Sequence, residues 1–288
     1  MVRAAFALLA IASLSACVPR FGTPADMRSQ ELAVGAARFR VQYWRGDDRE
    51  ARRVIRILET AVPRVQRWGD LQQPVTITIY PSHEALEAAV DRPGYGWLKA
   101  WARYQTIDIQ SPRTWSVFGG GDRKLAELVT HELTHCAMYQ EAGDDLNWMY
   151  KEIPIWFSEG IASVSGGGGH RHGGPESLVE YYREKMPGSG GGLPGPVWSP
   201  RATVVIAGDP IIDPAPIYQD QSDLVYAAAF HAAKFLIDRY GEQKVHRILE
   251  LMGTGMRFPA AFKEAIGISD AEFASDFRRY VVWQGWRR

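Results

Sequence analysis

The chain has 288 residues, 46% of them hydrophobic and 23% charged, with 28 Gly and 17 Pro; this composition excludes collagen, coiled coil and a disordered chain and fits one or two folded domains. Thirty-three Lys and Arg balance thirty-three Asp and Glu, so no overall field draws the chain to nucleic acid or to an anionic membrane surface.

At the start, Arg3 precedes an apolar run from Ala4 to Ala12 and then Leu14-Ser15-Ala16-Cys17. The run is too short to span a bilayer, and the order of positive, apolar and small residues is that of a secretory signal over residues 1–16. Leu14 to Cys17 resembles a bacterial lipobox. The resemblance implies cleavage before Cys17, a lipid on its thiol, and attachment to a bacterial membrane in the cell envelope, facing the periplasm. Cleavage at another small residue, giving a soluble periplasmic protein, is the alternative. With Cys17 lipidated only Cys136 is left, so no intrachain disulfide forms and stability must come from the core. Residues 17–35 are polar, contain Pro and show no period, which suits a tether. The folded domain is then 36–288.

Within it, Arg38–Trp44 and Val75–Tyr80 alternate apolar and polar residues as half-buried strands do. Between them Val54, Ile57, Leu58, Ala61 and Val65 recur at helical spacing, which predicts a crossover helix over 49–68. Ser82 is placed to cap a short helix ending at Val90, and Trp97–Gln110 reads as one or two strands. Helices follow at Arg123–Ala142, Pro154–Val164, Ser222–Tyr240, Glu242–Gly253, Pro259–Ile266 and Asp270–Trp283. Pro154 and Pro259 suit first helical positions, and Ser269-Asp270-Ala271-Glu272 is a capping-box pattern. The Gly- and Pro-rich stretch 165–222 reads as a loop-rich insertion with a short helix near Glu176–Met186. The fold class is α+β: a small N-terminal mixed sheet, a helix pair and a mostly helical C-terminal lobe.

His131-Glu132-Leu133-Thr134-His135 matches H-E-x-x-H, in which two imidazoles four residues apart share a helix face and grip one zinc ion. Leu125, Leu128, Val129, Cys136 and Tyr139 lie on one side of that helix, and Glu132 falls in the middle of the stripe. An unpaired buried carboxylate costs several kcal/mol, on the order of a broken buried ion pair, so Glu132 must face a metal, a water or a partner. Glu159 is a second acid on the apolar side of a helix, near Ile155, Trp156 and Ala162. The two anomalies have one explanation. His131, His135 and Glu159 supply three ligands and leave a fourth position for water, as catalytic zinc sites do, with one Zn(2+) per chain.

His131-Glu132-x-x-His135 followed by Trp156-Phe157-x-Glu159-Gly160-Ile161-Ala162 resembles the gluzincins, and within them the thermolysin-like and peptidase-MA-like metallopeptidases. The resemblance runs from about Val75 to the C-terminus and is specific in these two motifs. It implies a zincin-like fold with a zinc-bearing helix pair, a peptide or protein substrate, and Glu132 as the group that activates water. The 23 residues between His135 and Glu159 exceed the family's usual spacing, and Ser163 stands where thermolysin-like members carry an Asp that orients a zinc histidine. Tyr226 matches the position of a family tyrosine that stabilises the oxyanion, and His231 is the alternative for that task. The family's aminopeptidases use a Gly-x-Met-Glu-Asn element that is not found here, so an endopeptidase is preferred over an aminopeptidase. The strand near Tyr104–Gln110 is expected at the sheet edge, pairing with an extended substrate, the alternative being an interior strand with no contact to substrate. A catalytically silent scaffold that binds an envelope partner is the rival of another class.

His170-Arg171-His172, set among glycines, reads as a solvated loop rather than a metal site. Cys136, in the apolar stripe, reads as a small buried hydrophobe.

Overall fold

The computed structural model describes residues 26–171, 174–185 and 207–284. It is α+β: one five-stranded mixed sheet followed by a mostly helical remainder. Strand β1 (Met27–Val34) forms an antiparallel hairpin with β2 (Ala37–Trp44), and Gly35 supplies the positive φ of 59° that the tight turn needs. Ala37, Phe39, Val41 and Tyr43 of β2 are buried while Arg38 and Arg40 are exposed, the alternation read in the sequence. Helix α1 (Asp48–Val65) crosses over the sheet to β3 (Val75–Tyr80), which runs parallel to β2. Ser82 caps α2 (His83–Val90) by accepting a hydrogen bond from the Ala85 amide at 3.2 Å. Two further strands follow, β4 (Ala100–Ala102) and β5 (Thr106–Gln110). The spatial order is β1-β2-β3-β5-β4, with the antiparallel strands at the two edges.

Three expectations change. Met27–Val34, assigned to the tether, is strand β1, and residues 17–25 lie outside the described residues. An edge strand satisfies its backbone against one neighbour and needs no apolar face; in β1 only Gln30, Leu32 and Val34 are even partly buried. Second, β5 is interior, between β3 and β4, so the edge beyond it is β4. Asp108 and Gln110 of β5 are buried along with Ile107 and Ile109, as a strand covered on both faces requires. Third, the 165–222 insertion carries more helix than its composition suggests. The helix begun at Ile155 runs to Gly166, and Pro175–Lys185 and Ala215–Tyr218 are helical. Residues 186–206, like the signal segment and Cys17, are not among those described.

The remaining helices are α3 (Asp122–Ala142), α4 (Ile155–Gly166), α5 (Pro175–Lys185), α6 (Ala215–Tyr218), α7 (Ser222–Tyr240), α8 (Glu242–Gly253), α9 (Phe258–Ile266) and α10 (Asp270–Arg279). Ser269 and Glu272 form the expected capping box, and past Arg279 the last turn widens into a π-helical segment, Tyr280–Gln284. Two large hydrophobic cores result, beside a small cluster of Leu86, Val90 and Leu98. One fills the space between the sheet and helices α1 and α3, with Phe39, Val54, Leu58, Ile77, Ile109 and Val129 at its centre. The other is an aromatic helical core around Trp156, Phe157, Phe258, Phe262, Phe273 and Phe277. Helix α3 is the wall between them: Leu125, Val129, Leu133 and Cys136 face the sheet core, and Met138 and Ala142 face the helical one. That double burial fixes α3 on both sides.

Helix α4 packs along α7 at a close approach. A methyl group on Gly160 would run into the Ala229 carbonyl oxygen and would lie 2.7 Å from Ala233 Cβ. Gly160→Ala is therefore expected to destabilise the protein by about 1–3 kcal/mol, the usual cost of overpacking, despite the higher helix propensity of Ala. Urea unfolding of the purified variant measures this, and an unchanged or raised midpoint would contradict the close approach.

Candidate metal and catalytic site

His131 and His135 are separated by 400° of helical turn, so their rings project from the same side of α3. Glu159 comes from α4, which packs against α3. His131 Nε2 lies 3.1 Å from Glu159 Oε2 and 3.2 Å from His135 Nε2, and His135 Nε2 lies 3.6 Å from Glu159 Oε2. The structure thus brings the three residues singled out in the sequence around one point. For metal–ligand bonds of about 2.0–2.1 Å, the edge of a tetrahedral site is about 3.3–3.4 Å. The observed triangle fits that dimension, and its donors are the two nitrogens and one oxygen that zinc accepts. His135 Nδ1 and Ser163 Oγ are buried without a hydrogen-bond partner among the described residues, so Ser163 does not replace the orienting Asp of the resembled family.

The three residues line a cavity of about 540 Å³. Its floor is α3, from Glu127 to Tyr139; one wall is the segment from Arg92 through β4, and α4, Tyr218 and Tyr226 close much of the rest. Tyr139 stacks on the His135 ring, with centroids 5.8 Å apart and planes 17° from parallel. Glu132 also opens into this cavity and is buried. Burial pushes its carboxyl up to about 7 against the opposing pull of His131. Glu159 moves the other way: burial would raise it, but the charge of His135 and the hydrogen bonds from both histidines hold it well below the usual carboxylate range. Two carboxyls in one cavity are thus driven apart in acidity, the arrangement that separates a proton carrier from a permanent anion.

Tyr226 lines the cavity from α7, and its hydroxyl lies 3.1 Å from that of Tyr218. Burial, followed by the charge of Glu159, pushes the Tyr226 phenol well above its usual value, so it stays a hydrogen-bond donor. His231 is buried on α7 but is not among the residues that line the cavity. Five residues after Tyr226, it is turned about 140° around the helix axis. The alternative assignment of the oxyanion donor to His231 is thereby withdrawn.

Tyr218 and the Glu127–Arg171 ion pair are cavity features that the sequence does not flag, and Tyr139, expected only in the apolar stripe of its helix, also lines the cavity. Tyr139 was legible at four residues from His135. Tyr218 sits in the Pro-rich stretch with no periodicity to flag it. Arg171 is exposed at the end of a 3-10 turn, as a solvated segment predicts, but it also pairs with Glu127 and lines the cavity, while Gly169 ahead of it packs against the Phe230 ring. His172 is not among the described residues. A second cluster, Glu141, His246 and Glu250, also has close ligating atoms. Its groups are accounted for as ion pairs, His246 with Glu141 at 3.6 Å and Glu250 with Arg247 at 2.9 Å.

No protein family's sequence profile matches the chain, and no curated protein matches it. Among solved structures it is similar to a two-domain M1 zinc metallopeptidase with bound L-tryptophan, at a TM-score of 0.40 and 12% identity over 91% of this chain. It is also similar to the M1 zinc metallopeptidase of Deinococcus radiodurans, at a TM-score of 0.39 and 13% identity over 91% of this chain. The chain spans about half the length of these structures, 52% and 53%. Similarity at this level leaves the chemistry of the site to its own residues.

Metal analysis of the purified protein is expected to find one zinc per chain, removable by a chelator. Glu159→Gln should weaken zinc binding by more than the roughly 10–100-fold that loss of an outer hydrogen-bond partner costs, and His246→Gln should leave it unchanged. Equal zinc affinity in the wild type and Glu159→Gln would exclude Glu159 as a ligand.

Proposed function

We propose that the protein is a zinc-dependent peptidase that cleaves within peptide chains, a gluzincin of the bacterial cell envelope. The observation that carries this reading is the convergence of His131, His135 and Glu159 within 3.1–3.6 Å beside the buried Glu132, in an open cavity. His131, His135 and Glu159 hold the metal. When bound there, zinc supplies Lewis acidity toward water and toward a carbonyl oxygen. Glu132 takes the proton of the attacking water and delivers it to the departing nitrogen, as a carboxylate set in the cavity beside the three metal ligands can. Tyr226 donates its hydroxyl hydrogen to the oxygen that becomes negative as the carbonyl is attacked, and Tyr218 positions that hydroxyl.

The substrate backbone pairs with β4, the edge strand, which lines the cavity along its whole length. This replaces the pairing with Tyr104–Gln110 expected from the sequence. The Gly-x-Met-Glu-Asn element with which the resembled aminopeptidases grip an amino terminus does not occur in the sequence, which supports cleavage inside a chain.

Cys17 carries the lipid, after removal of residues 1–16. Eight residues then separate the anchor from Asp26, where the described body begins, a reach of about 30 Å when extended. Among the described residues no helix is long and apolar enough to cross a membrane.

Glu132→Gln is expected to keep its zinc and to lower the rate of casein hydrolysis by about 10²–10⁴-fold, the range for losing a general acid–base. Tyr226→Phe should lower kcat by about 10²-fold with KM little changed, the cost of one oxyanion donor. Full casein hydrolysis by zinc-loaded Glu132→Gln would refute the role of Glu132, and no hydrolysis by the zinc-loaded wild type would leave the scaffold reading in its place.

A further inference from the structure

The cavity wall that leads into β4 carries two cations, Arg92 and Lys99. The third cation in the lining, Arg171, is answered by Glu127, but neither Arg92 nor Lys99 is paired with a carboxylate among the described residues. The Arg92 guanidinium carbon lies 4.8 Å over the Trp101 ring and 5.9 Å from the centre of Tyr95. A guanidinium seated against aromatic rings rather than against a carboxylate keeps N–H donors for a ligand, and their fork matches a carboxylate. Lys99 Nζ donates to the neutral Gln110 Oε1 at 3.1 Å. Burial and the nearby Lys124 both press on the charged form of Lys99, a cost that an incoming anion relieves.

We propose that Arg92 and Lys99 form a carboxylate-binding subsite, so that preferred substrates present a carboxylate about three residues from the bond that is cut. The spacing follows from β4. The backbone of Ala102 lies against Glu132, and Lys99 is three residues back along an extended segment, about 10 Å. The carboxylate belongs either to an Asp or Glu side chain or to the substrate's C-terminus. The inference rests on the peptidase reading for its site of cleavage, while the subsite itself is a binding property of the wall.

The test uses the zinc-loaded full chain and one neutral, amidated peptide scaffold. One series carries Glu two to four residues to either side of the cleaved bond, and another ends in a free carboxylate at the same distances. The wild type is expected to show kcat/KM about tenfold higher for at least one carboxylate position than for the neutral peptide, the value of one charge-assisted contact. The series that shows the gain identifies the source of the carboxylate. Arg92→Gln and Lys99→Gln should each bring the ratio toward one, and Arg183→Gln, outside the cavity, should leave it. A wild-type ratio near one, or a ratio that survives Arg92→Gln, overturns the subsite while the peptidase reading stands. If no peptide is cleaved, that reading fails, and binding of the same peptides to Glu132→Gln decides the subsite: tighter binding of the carboxylate peptides, erased by Arg92→Gln, supports it. Equal binding, or none, overturns it.

Discussion

The seam between α3 and α4 is the constraint on which the site depends, because two imidazoles and a carboxylate converge only if these helices lie close and in register. Glycines on two sides of α4 permit that. Gly160 lets α7 approach from one side, and Gly166 lies where an added Cβ would be 2.7 Å from the Glu127 carbonyl oxygen of α3 and 3.5 Å from His131 Cβ. Helix α4 is thus held between α3 and α7 with no slack, and the depth to which Glu159 reaches follows from that packing. A shift of about an ångström would spread the ligand triangle beyond the span of one small cation, and errors of that size cost catalytic sites heavily.

The same packing gives the two acids their opposite characters. Glu132 points from α3 into the cavity floor near Cys136, whose thiol is pushed well up by burial and then by Glu132 itself. Glu159 meets the two histidine rings instead. Sequence alone shows both as acids on apolar helix faces; their different roles come from what faces them across the seam.

What was legible in the sequence was local. The four-residue spacing of His131 and His135 is a property of one helix, and Glu159 announced itself as a charge on the helix side of Ile155, Trp156 and Ala162. The α+β division and most element boundaries followed from periodicity and caps, as at Ser82 and Ser269. Strand β1 was hidden because an exposed edge strand carries no apolar alternation. The position of β5 was hidden because strand order is set by long-range pairing, although four consecutive buried residues from Ile107 to Gln110 are the mark of an interior strand once burial is known. The Tyr218–Tyr226 contact joins two segments through a turn that no period describes. His231 is different: its angular separation from Tyr226 on one helix was already fixed by the residue numbers.

Charge in the cavity is the remaining step. The lining holds three cationic and three carboxylate side chains, a balance that mirrors the neutral chain. The balance is not uniform: Glu127 is spent on Arg171, Glu159 is engaged by the histidines, and Glu132 is buried at the floor. A dication at the triad, with neutral imidazoles, would take up the two site carboxylates and leave the charges of Arg92 and Lys99 in excess. A cleft with low-dielectric walls focuses such an excess toward its mouth. The metal and the cationic wall then act in one direction, since both favour a ligand that brings negative charge, whether it is already present on a substrate carboxylate or develops on the carbonyl oxygen as water attacks.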